Sequence, residues 1–394
     1  MQAFYLNTGL AGLYKLLTEK KFAFAGIVYF LISTSILFWF GFNTNGEAAK
    51  YIEDAHRILT GEHLSNGFLG LFYIVYSLLI SSFIFFFINI KGIAFLQIVL
   101  SFAAGCCLYK ILMNVTGDKK ISFAAFVFYL LCIPIQKWNF FLYTESLHTS
   151  FLVAGLYFIY CVFQKEQHTR KWMLLFLLLL ILFSRPVGII FFISFLTVFL
   201  WWVFKTKNKF IYYIFLSFFV IGAALLFKTK LTFYFNPDSL RRMEIICQVP
   251  QANVTAPYKE YNDEGLSSFF SVITNEIGLK KFMSLGIKKV VSFFGLVRSF
   301  YSTPHNIVLL CLAALLYPLA TLGLFVINNK KTISIKLFIV TYIFITVVGI
   351  FFTCDEWSNR FITPVLPLLI LLAGMGLYCL KKKNNSLHNN IPVV

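Results

Sequence analysis

Four charged residues stand out in an apolar chain because their types and settings suit bond-making chemistry at a membrane edge: Glu47, Glu145, Arg185 and Arg360. Glu47 opens a stretch of helical periodicity that runs from Gly46 to Gly61. Glu145 stands in Tyr143-Thr144-Glu145-Ser146, where an apolar run begins. Arg185-Pro186 interrupts the apolar run 172–204. Arg360 closes Asp355-Glu356-Trp357-Ser358-Asn359-Arg360, ahead of Pro364 and Pro367. A carboxylate can take the proton of an attacking hydroxyl, and a guanidinium can stabilise charge developing on a leaving phosphate. Two of each at one membrane face suit attack on a sugar carried by a lipid phosphate, since phosphate leaves as a stable anion and needs no strong general acid. Each residue also has an ordinary reading. An acid is favourable at a helix start, an arginine can snorkel to the headgroup layer, and Arg360 with Asp355 would make a plain surface ion pair.

The elements that must position these groups follow from composition. The chain has 394 residues, of which 59% are hydrophobic, 19% aromatic and 13% charged, with 49 phenylalanines. Mean hydropathy is +0.80. Soluble domains carry about 25% charged residues, so a soluble enzyme, a disordered chain and a disulfide scaffold are excluded. Alternating ten-residue strand patterns are absent, which argues against a barrel. The expected class is an all-α membrane protein. The net charge of +18 reflects lysines at membrane boundaries rather than a nucleic-acid partner. The eight cysteines show no CxxC spacing and most lie inside apolar runs, so they read as small hydrophobes.

Eleven apolar runs approach the ~20 residues that cross a bilayer: 22–42, 68–90, 93–113, 121–135, 145–163, 172–183, 187–204, 210–227, 306–327, 335–353 and 361–380. Basic clusters separate them at Lys15/Lys20/Lys21, Lys110/Lys119/Lys120, Lys165/Arg170/Lys171, Lys205/Lys207/Lys209, Lys330/Lys331/Lys336 and Lys381–Lys383. Short cytoplasmic loops are the basic ones. All six clusters fall inside if the N-terminus is cytoplasmic and 68–90 is a re-entrant or interfacial pair of half-helices. The expectation is thus about ten crossings of the cytoplasmic membrane with both ends cytoplasmic. An alternative keeps 68–90 as a span and fuses 172–204 into one kinked helix. Three parts follow: an N-terminal transmembrane module, 1–227, with its first outer loop at 43–92; an outer loop, 228–305; and C-terminal helices with a basic tail, 306–394. Within the long loop, Leu279 to Phe294 alternates Lys280, Lys281, Lys288 and Lys289 with Phe282, Leu285 and Phe293, the pattern of a helix on the bilayer surface.

In the first outer loop, Asn45 can cap a helix that Gly61 ends. At ~100° per residue, Ala48, Ile52, Ala55 and Leu59 share the face expected to rest on the membrane, and Glu47, Tyr51 and Asp54 share the adjacent one. Lys137, in Gln136-Lys137-Trp138-Asn139, precedes Glu145 and, with Tyr51, is a further candidate for substrate contact.

Taken in order, Glu47-x3-Tyr51-x3-Ala55-x3-Leu59-x-Gly61, Thr144-Glu145 opening a helix, Arg185-Pro186 and Arg360-x3-Pro364-x2-Pro367 resemble the GT-C superfamily of integral-membrane glycosyltransferases. Its similar bacterial members include the aminoarabinose and protein O-mannosyl transferases. The resemblance implies a transmembrane helical bundle with surface helices in the first and long outer loops. It implies an outer-loop acid as catalytic base, which maps onto Glu47, and a second acid at Glu145 contacting acceptor or metal. Arginines near the lipid phosphate map onto Arg185 and Arg360. That family's outer-loop acid is usually aspartate, which keeps Asp54 as a second candidate. No match to the metal-binding loop of the aminoarabinose transferases is present, so the cofactor stays open. The expected partners are a polyprenyl-phosphate-linked sugar donor, a glycan, lipid or protein acceptor, and membrane lipid. Two alternatives stay open: a polymerase or ligase of lipid-linked polysaccharide, and a lipid or sugar transporter or flippase.

Overall fold

The computed structural model describes residues 19–65, 67–164, 171–205, 237–247, 249, 266–326, 330–356 and 358–388. The apolar run 210–227 lies outside them. Among the described residues every regular element is helical, and β structure is confined to isolated bridges. Helices of ten residues or more are α1 (Lys20–Phe40), α2 (Ala48–Thr60), α3 (Ile74–Phe85), α4 (Gly92–Thr116), α5 (Lys119–Leu131), α6 (Thr144–Gln164), α7 (Lys171–Ser184), α8 (Gly188–Lys205), α9 (Leu279–Gly295), α10 (Thr303–Val326), α11 (Lys330–Phe352) and α12 (Leu366–His388).

Six of these, α1, α4, α6, α8, α10 and α11, are long and apolar enough to cross a bilayer. The described residues are therefore those of an all-helical membrane protein. A seventh apolar stretch is broken: α5 and the turn Ile133–Phe140 are bent by 52° at Cys132, just ahead of Pro134. Two of the expected runs form shorter helices. Leu71–Phe85 is about 22 Å long at 1.5 Å per residue, short of the ~30 Å hydrocarbon layer. The run 172–204 is divided into α7 and α8 by Arg185-Pro186-Val187.

The chain forms two compact units, Met1–Phe192 with Leu316–Lys336 and Leu366–Val394, and Ile193–Leu315 with Leu337–Val365. In the first unit α4 packs along α5 and α6, α7 lies against α6, and α12 lies against α5 and α4. Phe22 of α1 sits among Tyr109, Phe123 and Phe126. A buried polar network holds the bent segment 132–143. Gln136 Oε1 accepts from Tyr29, Ser101 and Asn139, and Gln136 Nε2 donates to the Tyr129 carbonyl. Asn139 Oδ1 accepts from Ser146. Gln97 Nε2 donates to the carbonyls of Phe141 and Tyr143. In hydrocarbon such groups have no water to fall back on, so the network fixes where the segment sits and where α6 starts.

The second unit is built on α9. Its inner face buries Phe282, Leu285 and Phe293, and Phe282 and Leu285 join a cluster with Leu240, Phe269 and Val272. Two cysteines depart from the expectation of small-hydrophobe behaviour: Cys247 and Cys354 form a disulfide. Unlike most of the others, both stand outside the regular helices. There the backbones of Ile245–Cys247 and Asp355 pair through Cys247 N–H to Asp355 O and Asp355 N–H to Ile245 O. Asp355 forms its ion pair with Arg298 rather than with Arg360, and both side chains are almost fully buried.

In the first unit, the C-terminal half of α10 meets α12 backbone to backbone. A Cβ on Gly323 would stand 1.8 Å from the Leu372 carbonyl oxygen, and one on Gly376 2.1 Å from that of Leu319. Small residues allow such close approach between membrane helices. Gly323→Ala should therefore destabilise the protein by about 1–3 kcal/mol in thermal unfolding. Gly349→Ala, where the added carbon meets nothing within 4 Å, should be neutral or stabilising.

Candidate functional site

Glu47 occupies the residue before the first turn of α2. Asn45 does not cap that helix; its N–H instead donates to Asn43 Oδ1, and Glu47 itself stands at the cap position without a capping bond. Gly61 ends the helix as expected. Glu47 is exposed, and its Oε2 accepts a hydrogen bond of 3.1 Å from the hydroxyl of Tyr51, one turn along. Tyr51 is buried against Tyr73 and Tyr76, so the carboxylate is held from below by an immobile ring. The buried face of α2 is Ala48, Tyr51, Asp54 and Ala55, while Leu59 is exposed. It is thus rotated toward Tyr51 and Asp54 from the expected Ala48/Ile52/Ala55/Leu59 stripe, because Tyr51 and Ala55 fill a core shared with Tyr76, Ile80, Ile93, Leu142 and Leu147. Asp54 Oδ1 accepts from the Ser65 N–H and hydroxyl at 2.8 and 2.7 Å. That placement ties the loop after α2 to the helix.

Glu145 lies in the first turn of α6 and is fully buried. Its Oε1 stands 3.0 Å from Arg185 Nη2, and both side chains are 5% exposed or less. The guanidinium comes from the break between α7 and α8, so the ion pair joins that break to α6. One turn along α6, His148 Nδ1 lies 2.9 Å from Ser184 Oγ. The ion pair and this hydrogen bond make a buried polar seam along α6, Glu145 over His148 facing Arg185 over Ser184. The sequence reading missed His148 and Ser184. The signal for His148 was the polar tract Thr144-Glu145-Ser146-Leu147-His148-Thr149-Ser150 at the head of an otherwise apolar helix, since an ionisable residue within a membrane helix is by default a candidate for function.

The two acids lie at one end of the first unit. Asn43 N–H donates to the Phe140 carbonyl at 2.8 Å and the Leu142 N–H to that of Asn43 at 2.9 Å. The Tyr143 hydroxyl donates to the Asn45 carbonyl at 3.1 Å. Gly46 packs so closely on that hydroxyl that a Cβ would stand 2.6 Å from it. Glu47 follows Gly46 directly, and Glu145 is two residues beyond Tyr143. Lys137 belongs to the same region, with its ammonium 4.8 Å from the Trp138 ring centroid and Trp138 stacked on Tyr143. Arg360 lies in the second unit and is buried, and its N–H donates to Glu356 Oε2. Among the described residues, no three His, Cys, Asp or Glu side chains cluster closely enough to hold a metal ion.

What the geometry defines is a membrane protein with a polar seam buried at one end of a helical unit, an end that also carries an exposed carboxylate. The chain matches no family model, no curated protein and no solved structure.

In the second unit, burial lowers the Lys289 ammonium to about 8, opposed by the charge of Glu244. Its Nζ donates to the Thr353 carbonyl. Burial likewise raises the Asp355 carboxyl above its usual range, against the pull of Arg298.

Removing one partner of a buried ion pair strands the other. Glu145→Gln or Arg185→Met alone should each cost about 3–5 kcal/mol in thermal unfolding, and the double replacement should recover most of that loss. Lys289 gives a pH signature. With its folded pKa depressed, the unfolded chain holds the extra proton between about 8 and the ordinary lysine value near ~10.4. Stability should therefore rise with pH across that window, and Lys289→Met should flatten the rise in melting temperature.

Proposed function

We propose that the chain is an inverting glycosyltransferase of GT-C type, moving a sugar from a polyprenyl-phosphate carrier onto an acceptor at the extracytoplasmic face of the cytoplasmic membrane. The supporting observation is the hydrogen-bonded pairing of loop 43–46 with segment 140–143, which brings Glu47, Glu145 and Arg185 to one end of the first unit. On this reading Glu47 is the general base. It is exposed, steadied by Tyr51, and takes the proton of the acceptor hydroxyl as that oxygen attacks the anomeric carbon. The bond from the anomeric carbon to the phosphate oxygen breaks, and the carrier leaves as polyprenyl phosphate. Glu145 holds Arg185 in place, and the guanidinium, with five N–H donors, has more than one carboxylate can use and can meet the phosphate. The acceptor's chemical class, glycan, lipid or protein, follows from whichever hydroxyl reaches Glu47.

An apolar cavity of about 350 Å³ supports a lipid carrier. It is lined by Val75, Leu78 and Leu79 from the 68–90 run and by Leu147 and Phe151 of α6, the helix that carries Glu145. Sidedness is supported by the disulfide Cys247–Cys354, since disulfides persist in oxidising compartments and both cysteines fall in segments expected outside. About ten crossings with cytoplasmic termini complete the proposed arrangement.

A second reading, transport, has one observation in its favour: broken helices at Cys132 and Arg185 with a buried charged pair beside them, a feature of transporter binding sites. Detergent-solubilised protein supplied with radiolabelled polyprenyl-phosphate sugars separates the two, because a flippase has no sidedness there while a transferase still consumes donor. Glu47→Gln should lower transfer by about 10²–10⁴-fold with the melting temperature unchanged. Full activity in that variant removes Glu47 as the base.

A further inference from the structure

We infer that the polar face of α6 and the α7/α8 break opposite it form a binding site for the hydroxyl groups of a sugar ring, with His148 Nε2 as hydrogen-bond acceptor; this rests on the glycosyltransferase reading. At ~100° per residue, Thr144, Glu145, His148 and Thr149 fall within an arc of about 140°. All four are 1% exposed or less. Glu145 and His148 meet Arg185 and Ser184 at the break.

The tautomer of His148 follows from Ser184. That hydroxyl has one proton, which it donates to the Ile181 carbonyl at 2.9 Å. Toward His148 its oxygen therefore accepts, and Nδ1 carries the imidazole proton. In the neutral ring Nε2 is left with a lone pair. Among the described residues Nε2 has no partner, and neither has the hydroxyl of Thr144 or of Thr149.

Each such orphan costs roughly 1–3 kcal/mol when buried, and three of them share one helix face. Beside them the chain at Arg185–Val187 is non-helical. Irregular backbone at membrane depth is tolerated where it is buried in protein or lines a polar cavity. The set has one pure acceptor and two groups that both donate and accept. A polyol satisfies all three. An anionic phosphate does not, because its oxygens would face the Nε2 lone pair.

Protein in lipid nanodiscs would be titrated with citronellyl phosphate bearing glucose, mannose or N-acetylglucosamine, and with citronellyl phosphate alone. Wild type should bind at least one sugar-bearing probe about tenfold more tightly than the bare lipid. His148→Asn places an amide N–H near Nδ1, so it keeps the Ser184 contact but has no acceptor at Nε2. It should lose that about tenfold gain and bind the bare lipid as wild type does. Thr149→Val, nearly isosteric, should also weaken sugar-dependent binding without lowering the melting temperature, and it carries the test should His148→Asn fold poorly. No sugar preference in wild type, or an unchanged preference in His148→Asn and Thr149→Val, overturns the site. Sugar-dependent binding through His148 without any transfer removes the transferase reading and keeps the site. Transfer with wild-type donor affinity in His148→Asn removes the site and keeps the reading.

Discussion

A carboxylate and a guanidinium cannot enter hydrocarbon separately, and the pair Glu145–Arg185 is how the first unit meets that constraint. Either charge buried alone is strongly destabilising, so the ion pair couples the first turn of α6 to the α7/α8 break. Ser184 and His148 extend the contact by one turn. The same constraint acts on the segment before α6. Gln136 and Asn139 are buried between α1, α4 and α5, and their amides are taken up by Tyr29, Ser101, Tyr129 and Ser146. Where α6 begins is thus decided by amide and hydroxyl geometry, which is directional, rather than by apolar packing, which is not.

This explains what was legible in the sequence. Helix positions were, because a run of apolar residues bounded by lysines has few other outcomes in a bilayer: α1, α4, α6, α10 and α11 match their expected runs to within a few residues. The break at Arg185-Pro186 was legible too, since proline cannot continue a helix hydrogen-bond ladder. Helix facing was less so. Alanine and isoleucine periodicity pointed α2 toward Ile52 and Leu59, yet Tyr51 and Asp54 turned inward. A tyrosine that buries its ring and still presents its hydroxyl to Glu47 outweighs one isoleucine, and Asp54 gains Ser65 as a partner. Partner choice was not legible at all. Asp355 lies five residues from Arg360 and 57 from Arg298, and sequence distance favoured the wrong one.

The second unit shows why. Its core cluster around Phe269 and Phe282 draws α9 against the segment after α11, and that brings Arg298 over Asp355 and Lys289 against the Thr353 carbonyl. The disulfide closes the same junction at Cys354. Neither cysteine belongs to a helix, so helical periodicity held no information about either.

On the proposed reading the two acids divide their labour by environment. Glu145 is wholly buried and opposite a guanidinium, so its charge is committed to holding Arg185 rather than to taking a proton. Glu47 is exposed, and one of its oxygens accepts from the Tyr51 hydroxyl. Of the two acids, it is the exposed one that an incoming acceptor can approach. Tyr51 still restricts the rotamers of that carboxylate, as a positioned base requires. The cost of burying one acid is therefore the means of fixing a cation at the end of the unit that carries the other, and the pairing of loop 43–46 with segment 140–143 holds the exposed acid at that end.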